Sequence, residues 1–330
     1  MGNLMIYGAT GYTGRIACQH ANTLGLRFIL GGKSPDKLAA LAAQLVVPYL
    51  AFSIDDSRAI ASALDGVEVL LNCAGPFGET AEPLIEACIE NGVHYLDVSA
   101  ELSTYQLAER LEEKAAKSGV MLLPGCGGSV AMLGCLVHHV LQDLEHQIDS
   151  IDVALRIAGP MSRGSAITAR DRLSPECLQR RGNTMTQLDI NSTQQFDFDD
   201  GNGSVPCAPV TLPDLITIWK STGVSNIRTF AFLSEGTTPA TDIDALPDGP
   251  TVKQREANPY HAAVIATTRE GNTKRAVLHT VNGYTFTGIA SVEAAKRVLT
   301  GEGIRGFQTP VIVFGEDFIK SVAGSVIVDI

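Results

Sequence analysis

The sequence predicts an α/β protein in which a doubly wound parallel sheet is followed by a second, α+β domain with a mixed or antiparallel sheet. Three observations carry this. The first 125 or so residues alternate short apolar strands with helices, and strict alternation implies parallel strands joined by right-handed crossovers. Residues 67–73 (VEVLLNC) form a nearly unbroken apolar run, as expected for a central parallel strand buried on both faces. Beyond about residue 141 the pattern changes to alternation with a period of two, the mark of strands with one exposed face.

The elements follow in order. A strand at 4–7 leads into a glycine turn at 8–14, and a helix at 13–24 stops at Gly25. A second strand, 27–31, precedes a helix at 35–44 for which Ser34 is the expected cap. A strand near 49–54 and a helix at 58–64, capped by Ser57, come next. After the apolar strand at 67–73 the sequence reads as helix 81–91, strand 94–98, helix 104–118, strand 120–123 and helix 130–141. In the second half, strands are expected at 151–157, 261–268, 275–281 and 284–287, and a helix at 292–299. Asn282-Gly283 between the last two strands is a tight-hairpin signal. Residues 181–210 are rich in Asn, Gln, Asp and Gly and read as a surface excursion of loops and short strands. The expected domains are 1–127 and 128–304, with a segment at about 305–330 packing back on the first.

Composition narrows the function. At 330 residues, 45% hydrophobic and 18% charged, the chain has an ordinary globular make-up with room for two cores. A net charge of −11 argues against a nucleic-acid partner, because phosphate backbones require a basic face. Seven cysteines at irregular spacing, with no CxxC pair, fit reduced thiols in the cytoplasm rather than disulfides or zinc. No metal site is expected. The start has no basic n-region or cleavage signal. Residues 120–141 carry no formal charge, but Pro124-Gly125-Cys126-Gly127-Gly128 breaks any helix there, so no membrane span is expected.

The strongest local signal is Gly8-Ala9-Thr10-Gly11-Tyr12-Thr13-Gly14, placed between the first strand and the first helix. In this context Gly8 permits a tight turn, Gly11 admits a pyrophosphate to the backbone and Gly14 allows close helix–strand packing. The helix N-terminus adds partial positive charge. The string reads as the phosphate-binding turn of a Rossmann-type dinucleotide domain, the alternative being a structural glycine-rich turn. Proteins that bind NAD place an acid at the end of the second strand for the ribose 2′-hydroxyl. Here the chain reads Gly31-Gly32-Lys33-Ser34, with no acid before Asp36. Lys33 and Ser34, with Arg15 as a possible helper, suit a 2′-phosphate, so the expected cofactor is NADP(H).

Beyond the turn, GATGYTG, GGKSPDKL and NCAGPFGETAEPLIEACIENGVHYLDVSAE together resemble the saccharopine dehydrogenase-like family, and within it the trans-acting enoyl reductase branch. RGSAITARDRL (163–173), WKSTGVSNIRTF, YTFTGIASVEAA and GFQTPVIVFGEDF extend the resemblance weakly. The resemblance implies an NADP-binding Rossmann domain, a second α+β domain carrying the substrate cleft, and a homodimer. It carries Gly8, Gly11 and Gly14 over as pyrophosphate contacts. It also places Asn72, Ala74, Gly75 and Pro76 beside the nicotinamide ribose. Lys33 stands where relatives usually have Arg, which changes the contact geometry. The chain departs from the family at 127–134, where relatives have a Gly-Phe-Asp-type segment with Pro and a second Asp; here it reads GGSVAMLG.

Chemistry in a doubly wound domain belongs at the carboxyl ends of the strands. Asp97, Glu101 and Cys126 fall there. Asp97 either positions a polar group or caps the next helix. Glu101 is a general-acid candidate if desolvated, and otherwise a loop acid in solvent. Cys126 stands where a helix dipole would favour a thiolate, and otherwise is a buried inert cysteine. His138 and His139 are adjacent and point to different helix faces. The leading expectation is an NADP(H)-dependent oxidoreductase acting on a small or moderately apolar substrate in the inter-domain cleft. The alternatives are a Cys126-dependent semialdehyde or acyl-phosphate reductase, and a non-catalytic NADP sensor or partner subunit.

Overall fold

The computed structural model describes residues 3–142, 148–171, 176–234, 237, 243 and 245–330. The last two residues of the 163–173 string therefore lie outside the described residues. The chain forms two compact units, Met1–Gly128 with Thr287–Phe314, and Ser129–Phe286 with Gly315–Ile330.

The first unit alternates as its sequence implies. Strands β1 (Leu4–Tyr7), β2 (Phe28–Gly32), β3 (Tyr49–Ala51), β4 (Val69–Asn72), β5 (His94–Asp97) and β6 (Met121–Leu123) are parallel. Between them run α1 (Tyr12–Thr23), α2 (Pro35–Leu45), α3 (Ser57–Ala63), α4 (Phe77–Asn91), α5 (Leu102–Arg110) and α6 (Glu112–Lys117). Every residue of β1 and of β4 is buried, which is why both read as apolar runs without alternation. Some ends differ from expectation. Asp56, not Ser57, caps α3, its Oδ1 accepting from the Arg58 and Ala59 N–H groups at 3.0 Å. Ser34 does occupy the cap position of α2 but makes no side-chain cap bond. The helix expected at 104–118 divides at Leu111.

The second unit opens with α7 (Ser129–Leu141), whose apolar residues are buried almost all round. The uncharged stretch at 120–141 is thus a strand, a turn and a buried helix, and among the described residues no helix is long and apolar enough to cross a membrane. Then follow β7 (Ile148–Ile157), α8 (Arg163–Asp171), β8 (Leu178–Arg181), β9 (Thr184–Gln187), β10 (Gln194–Asp197), β11 (Ser204–Pro209) and α9 (Asp214–Thr222). Next come β12 (Asn226–Leu233), α10 (Val252–Glu256), β13 (Tyr260–Thr268), β14 (Thr273–Thr280) and α11 (Gly283–Arg297). Beyond α11, β15 (Gly306–Phe307) and α12 (Pro310–Phe314) belong to the first unit, and β16 (Val326–Asp329) to the second. The second sheet runs β10-β11-β12-β7-β13-β14-β16, with β8 on β12 and β9 on β8. It is mixed, because β12 and β7 are parallel while β13 is antiparallel to both β7 and β14.

Three details depart from the sequence reading. Asn282-Gly283 does not turn a hairpin: it starts α11, with Asn282 Oδ1 accepting from the Tyr284 N–H at 3.1 Å. The glycine is required there because a Cβ would run into the Tyr260 ring. Residues 181–210 are more than surface excursion. Phe196, Phe198 and Cys207 are buried with Ala154, Phe230, Ala263 and Val277 in a core cluster. The returning segment is Thr287–Phe314 rather than about 305–330, because β16 pairs with β14 in the second unit.

Asp214, the first residue of α9, is fully buried, and among the described residues neither carboxyl oxygen has a hydrogen-bond partner outside its own residue. Burial pushes its pKa up to about 7. The folded state therefore holds the proton more tightly than the unfolded chain, whose carboxyl titrates at about 4. Stability must fall as pH rises between those values. Thermal melts should show a declining midpoint from pH 5 to pH 8, and Asp214→Leu should flatten that decline; an equally steep decline in the variant would contradict the assignment.

Candidate functional site

In the first unit the sheet order is β15-β6-β5-β4-β1-β2-β3. The chain reverses its direction of winding between β1 and β4, and in open α/β sheets the ligand crevice lies outside the strand ends at that switch point. The turn after β1 is anchored there. The Gly8 and Ala9 N–H groups donate to the Gly31 carbonyl at 3.0 and 3.2 Å. Gly8 has φ +76°, and a Cβ on it would sit 2.6 Å from the Ala74 nitrogen. A Cβ on Gly14 would collide with the Gly8 carbonyl oxygen. Gly11 is different: a Cβ there would meet only the Gly8 oxygen, at 3.2 Å, and otherwise open space. So two of the glycines serve packing and the third keeps a surface clear.

Gly11 is also the N-cap of α1, which has no side-chain cap bond and no acidic residue in its first turn. Nothing in that turn neutralises the positive end of the helix dipole. At the end of β2, Gly31 packs so that a Cβ would lie 3.1 Å from the Tyr7 ring. Lys33 is exposed, Ser34 half-buried, and the first acid beyond is the exposed Asp36. The residues present fit a dinucleotide pyrophosphate at Gly11 and a 2′-phosphate beside Lys33.

The loop after β4 is held from within. Asn72 is fully buried; its Oδ1 accepts from the Ala74 N–H at 2.9 Å, and its Nδ2 donates to Thr80 Oγ1 and to the Tyr95 hydroxyl at 3.1 and 3.2 Å. Thr80 Oγ1 donates to the Ala74 carbonyl at 2.6 Å. Gly75 and Pro76 then lead into α4 through a cis peptide bond.

Asp97 and Glu101 are both buried and both committed to backbone. Asp97 Oδ1 accepts from the Ser99 and Gly125 N–H groups at 2.9 and 2.8 Å, and Oδ2 accepts from the Tyr95 hydroxyl at 2.9 Å. Burial raises its pKa to about 6. Glu101 is not a solvent-facing loop acid. It is 3% exposed, and its two oxygens accept from the Phe77 and Gly78 N–H groups at 2.9 and 2.7 Å, at the start of α4. A carboxylate on the amide groups of a helix N-terminus is stabilised by the same dipole that attracts phosphate. Cys126 lies in the turn before α7 rather than in the helix, and is fully buried. Burial first, then Asp97 and Cys73, push its thiol well above the ordinary range, the opposite of a thiolate.

Sequence reasoning missed Tyr95, Thr80 and Tyr105. Tyr95 was in principle legible, because two residues before Asp97 on one strand it must share a face with it. Tyr105 was not: its hydroxyl reaches the Ser99 carbonyl at 2.7 Å across a loop, and fills the space a Cβ on Gly125 would need.

A parallel sheet with a glycine turn at the switch point and a clear helix N-terminus defines a dinucleotide-binding α/β protein. The kind of domain is specified by comparison: residues 4–123, somewhat over a third of the chain, match the saccharopine dehydrogenase NADP binding domain family. The chain is 30% identical to the saccharopine dehydrogenase-like oxidoreductase of Bos taurus over 145 residues, 38% of this chain and 34% of that one. It is 28% identical to the trans-acting enoyl reductase of Mycobacterium ulcerans (strain Agy99), over 42% of this chain and 35% of that one. The match thus spans about a third of the length of these relatives. In fold, the whole chain superposes on the whole of an apo saccharopine dehydrogenase (L-Glu forming) from Saccharomyces cerevisiae, with a TM-score of 0.69 at 10% identity.

Two outcomes follow from the site geometry. Glu101→Gln turns one of the two bonds at the α4 N-terminus into a donor–donor contact and removes the charge from the other, and should cost about 2 kcal/mol of unfolding free energy in urea titrations. In the folded protein at pH 7.5, iodoacetamide should label the partly exposed Cys177 well before Cys126 by peptide mass mapping. Rapid labelling of Cys126 would restore it as a nucleophile.

Proposed function

We propose that this chain is an NADP(H)-dependent oxidoreductase acting on a small or moderately apolar substrate. The observation that carries the reading is the pair of features at the switch point: the clear face of Gly11 at the α1 N-terminus, and a β2 end that offers Lys33 and Ser34 in place of an acid. The match of residues 4–123 to an NADP-binding domain supports it. Gly8, Ala9, Thr10, Gly11, Tyr12, Thr13 and Gly14 receive the pyrophosphate, Lys33 and Ser34 the 2′-phosphate, and the loop Asn72, Ala74, Gly75 and Pro76 the nicotinamide end. When bound, the cofactor supplies or accepts the hydride; the chain's residues bind it, orient it and exclude water. Seven free cysteines support a reducing compartment such as the cytoplasm, and the homodimer implied by the family resemblance belongs to the same proposal.

A second reading, a non-catalytic NADP sensor or partner subunit, is favoured by one observation. Both carboxylates at the strand ends, Asp97 and Glu101, are already committed to backbone N–H groups, which leaves them poorly placed to donate a proton to substrate. It predicts NADPH binding without turnover across carbonyl, imine and enoyl substrates; turnover of any one of them excludes it.

Fluorescence titration should give markedly tighter binding of NADPH than of NADH. Lys33→Ala should weaken NADPH by roughly fivefold, the scale of one exposed ion pair, and leave NADH unchanged. Equal affinities for the two cofactors in the unmodified protein would overturn the NADP assignment.

A further inference from the structure

The hydrogen bonds from Ala74 to Gly125 have a fixed polarity, and following it assigns a role to Asp97. The Ala74 N–H is an obligate donor, so the oxygen of the Asn72 amide must face it and the amide nitrogen must face Thr80 and Tyr95. The Tyr95 hydroxyl oxygen therefore accepts from Asn72, and its own proton goes to Asp97 Oδ2. Asp97 Oδ1 is already taken by two backbone N–H groups, from Ser99 and Gly125. A proton on Oδ1 would oppose two backbone donors, and a proton on Oδ2 would displace the Tyr95 proton from the contact. The network as built, with Tyr95 donating, holds a carboxylate at the carboxyl end of β5, fully buried.

The places this carboxylate holds are the loops that surround the switch point. Through Tyr95 and Asn72 it reaches Ala74, the residue a Cβ on Gly8 would strike. Through Gly125 it fixes the loop after β6, and through Ser99 the loop after β5, where Ser99 Oγ accepts from the Glu101 N–H at 3.0 Å. We propose that Asp97 is a positioning residue for the dinucleotide: its carboxylate sets the backbone at the ends of β4, β5 and β6 that receives the nicotinamide end, and protonation of that carboxylate loosens cofactor binding. This rests on the NADP(H) reading above. The titratable groups facing Asp97 are Tyr95 on its own strand, Glu101 in the following loop, Cys73 after β4 and Cys126 after β6. None of these is a cation. Burial, opposed by three hydrogen bonds, leaves the carboxyl titrating at about 6, so the switch falls within an accessible range.

The test is NADPH affinity against pH, from 5 to 8, by fluorescence titration of the full chain. The 2′-phosphate itself titrates near pH 6 in every variant, so the readout is the difference between profiles. Asp97→Asn removes at every pH the charge and the acceptor for the Tyr95 proton that protonation removes at low pH. Relative to the unmodified protein it should bind NADPH about tenfold more weakly at pH 8, with the gap closing towards pH 5. Tyr95→Phe cuts the path to Ala74 while keeping both backbone bonds of Asp97, and should weaken binding several-fold at pH 8 with the same convergence at low pH. Should Asp97→Asn fail to fold, Tyr95→Phe alone decides. Profiles parallel to that of the unmodified protein, with folding intact by circular dichroism, overturn the positioning role and leave the NADP(H) reading standing. No NADPH binding by the unmodified protein at any pH overturns both.

Discussion

The close approach of two backbone segments at Gly8 and Ala74 is the constraint on which the first unit is arranged. With β1 and β4 hydrogen-bonded side by side, the turns that leave them must share one small space. Gly8 meets this with a positive φ and no side chain; Gly14 meets it by letting α1 fold back over the turn. Once these contacts are fixed, the α1 N-terminus points at the switch point with Gly11 as its bare edge. The proposed pyrophosphate site follows from packing the strands closely, and needs no side chain beyond those that set the fold.

The same economy runs along the other strand ends. The β4, β5 and β6 loops carry buried polar atoms that must find partners, and they find them in one another: Asn72 in Ala74, Thr80 and Tyr95; Asp97 in Ser99 and Gly125; Glu101 in Phe77 and Gly78. A buried network of this kind is rigid when every member is satisfied and unstable when one is missing. That is why the proposed function casts these residues as a frame for a ligand and not as its chemical partners.

Much of this architecture could be read from the sequence, and the parts that could not have physical reasons. The β1 turn was legible because Gly8, Gly11 and Gly14 sit between an apolar strand and an amphipathic helix, a purely local pattern. Asn282-Gly283 misled for the same local reason: the pair suits a hairpin, but the Tyr260 ring, over twenty residues earlier, makes the glycine a packing requirement. Phe196 and Phe198 were hidden by polar neighbours, although their spacing of two puts both on one face of the chain. Asp97 and Glu101 were found as residues at strand ends, yet their partners lie in other loops, and sequence spacing cannot say which backbone N–H groups a carboxylate will meet.

Asp97 and Asp214 meet burial in different ways. Both side chains are fully buried, and in both burial raises the pKa, with no cation among the causes. Two backbone N–H groups from other residues and a tyrosine hydroxyl address Asp97, while among the described residues neither oxygen of Asp214 has a partner outside its own residue. Donors aimed at a carboxylate lower the cost of keeping it charged in a dry interior. At position 97 the carboxylate also supplies acceptors to the Ser99 and Gly125 N–H groups, which are buried in loops that have no strand partner for them. The same arrangement ties three loops together beside the switch point, which is why the proposed positioning role falls on Asp97 and not on the equally buried Asp214.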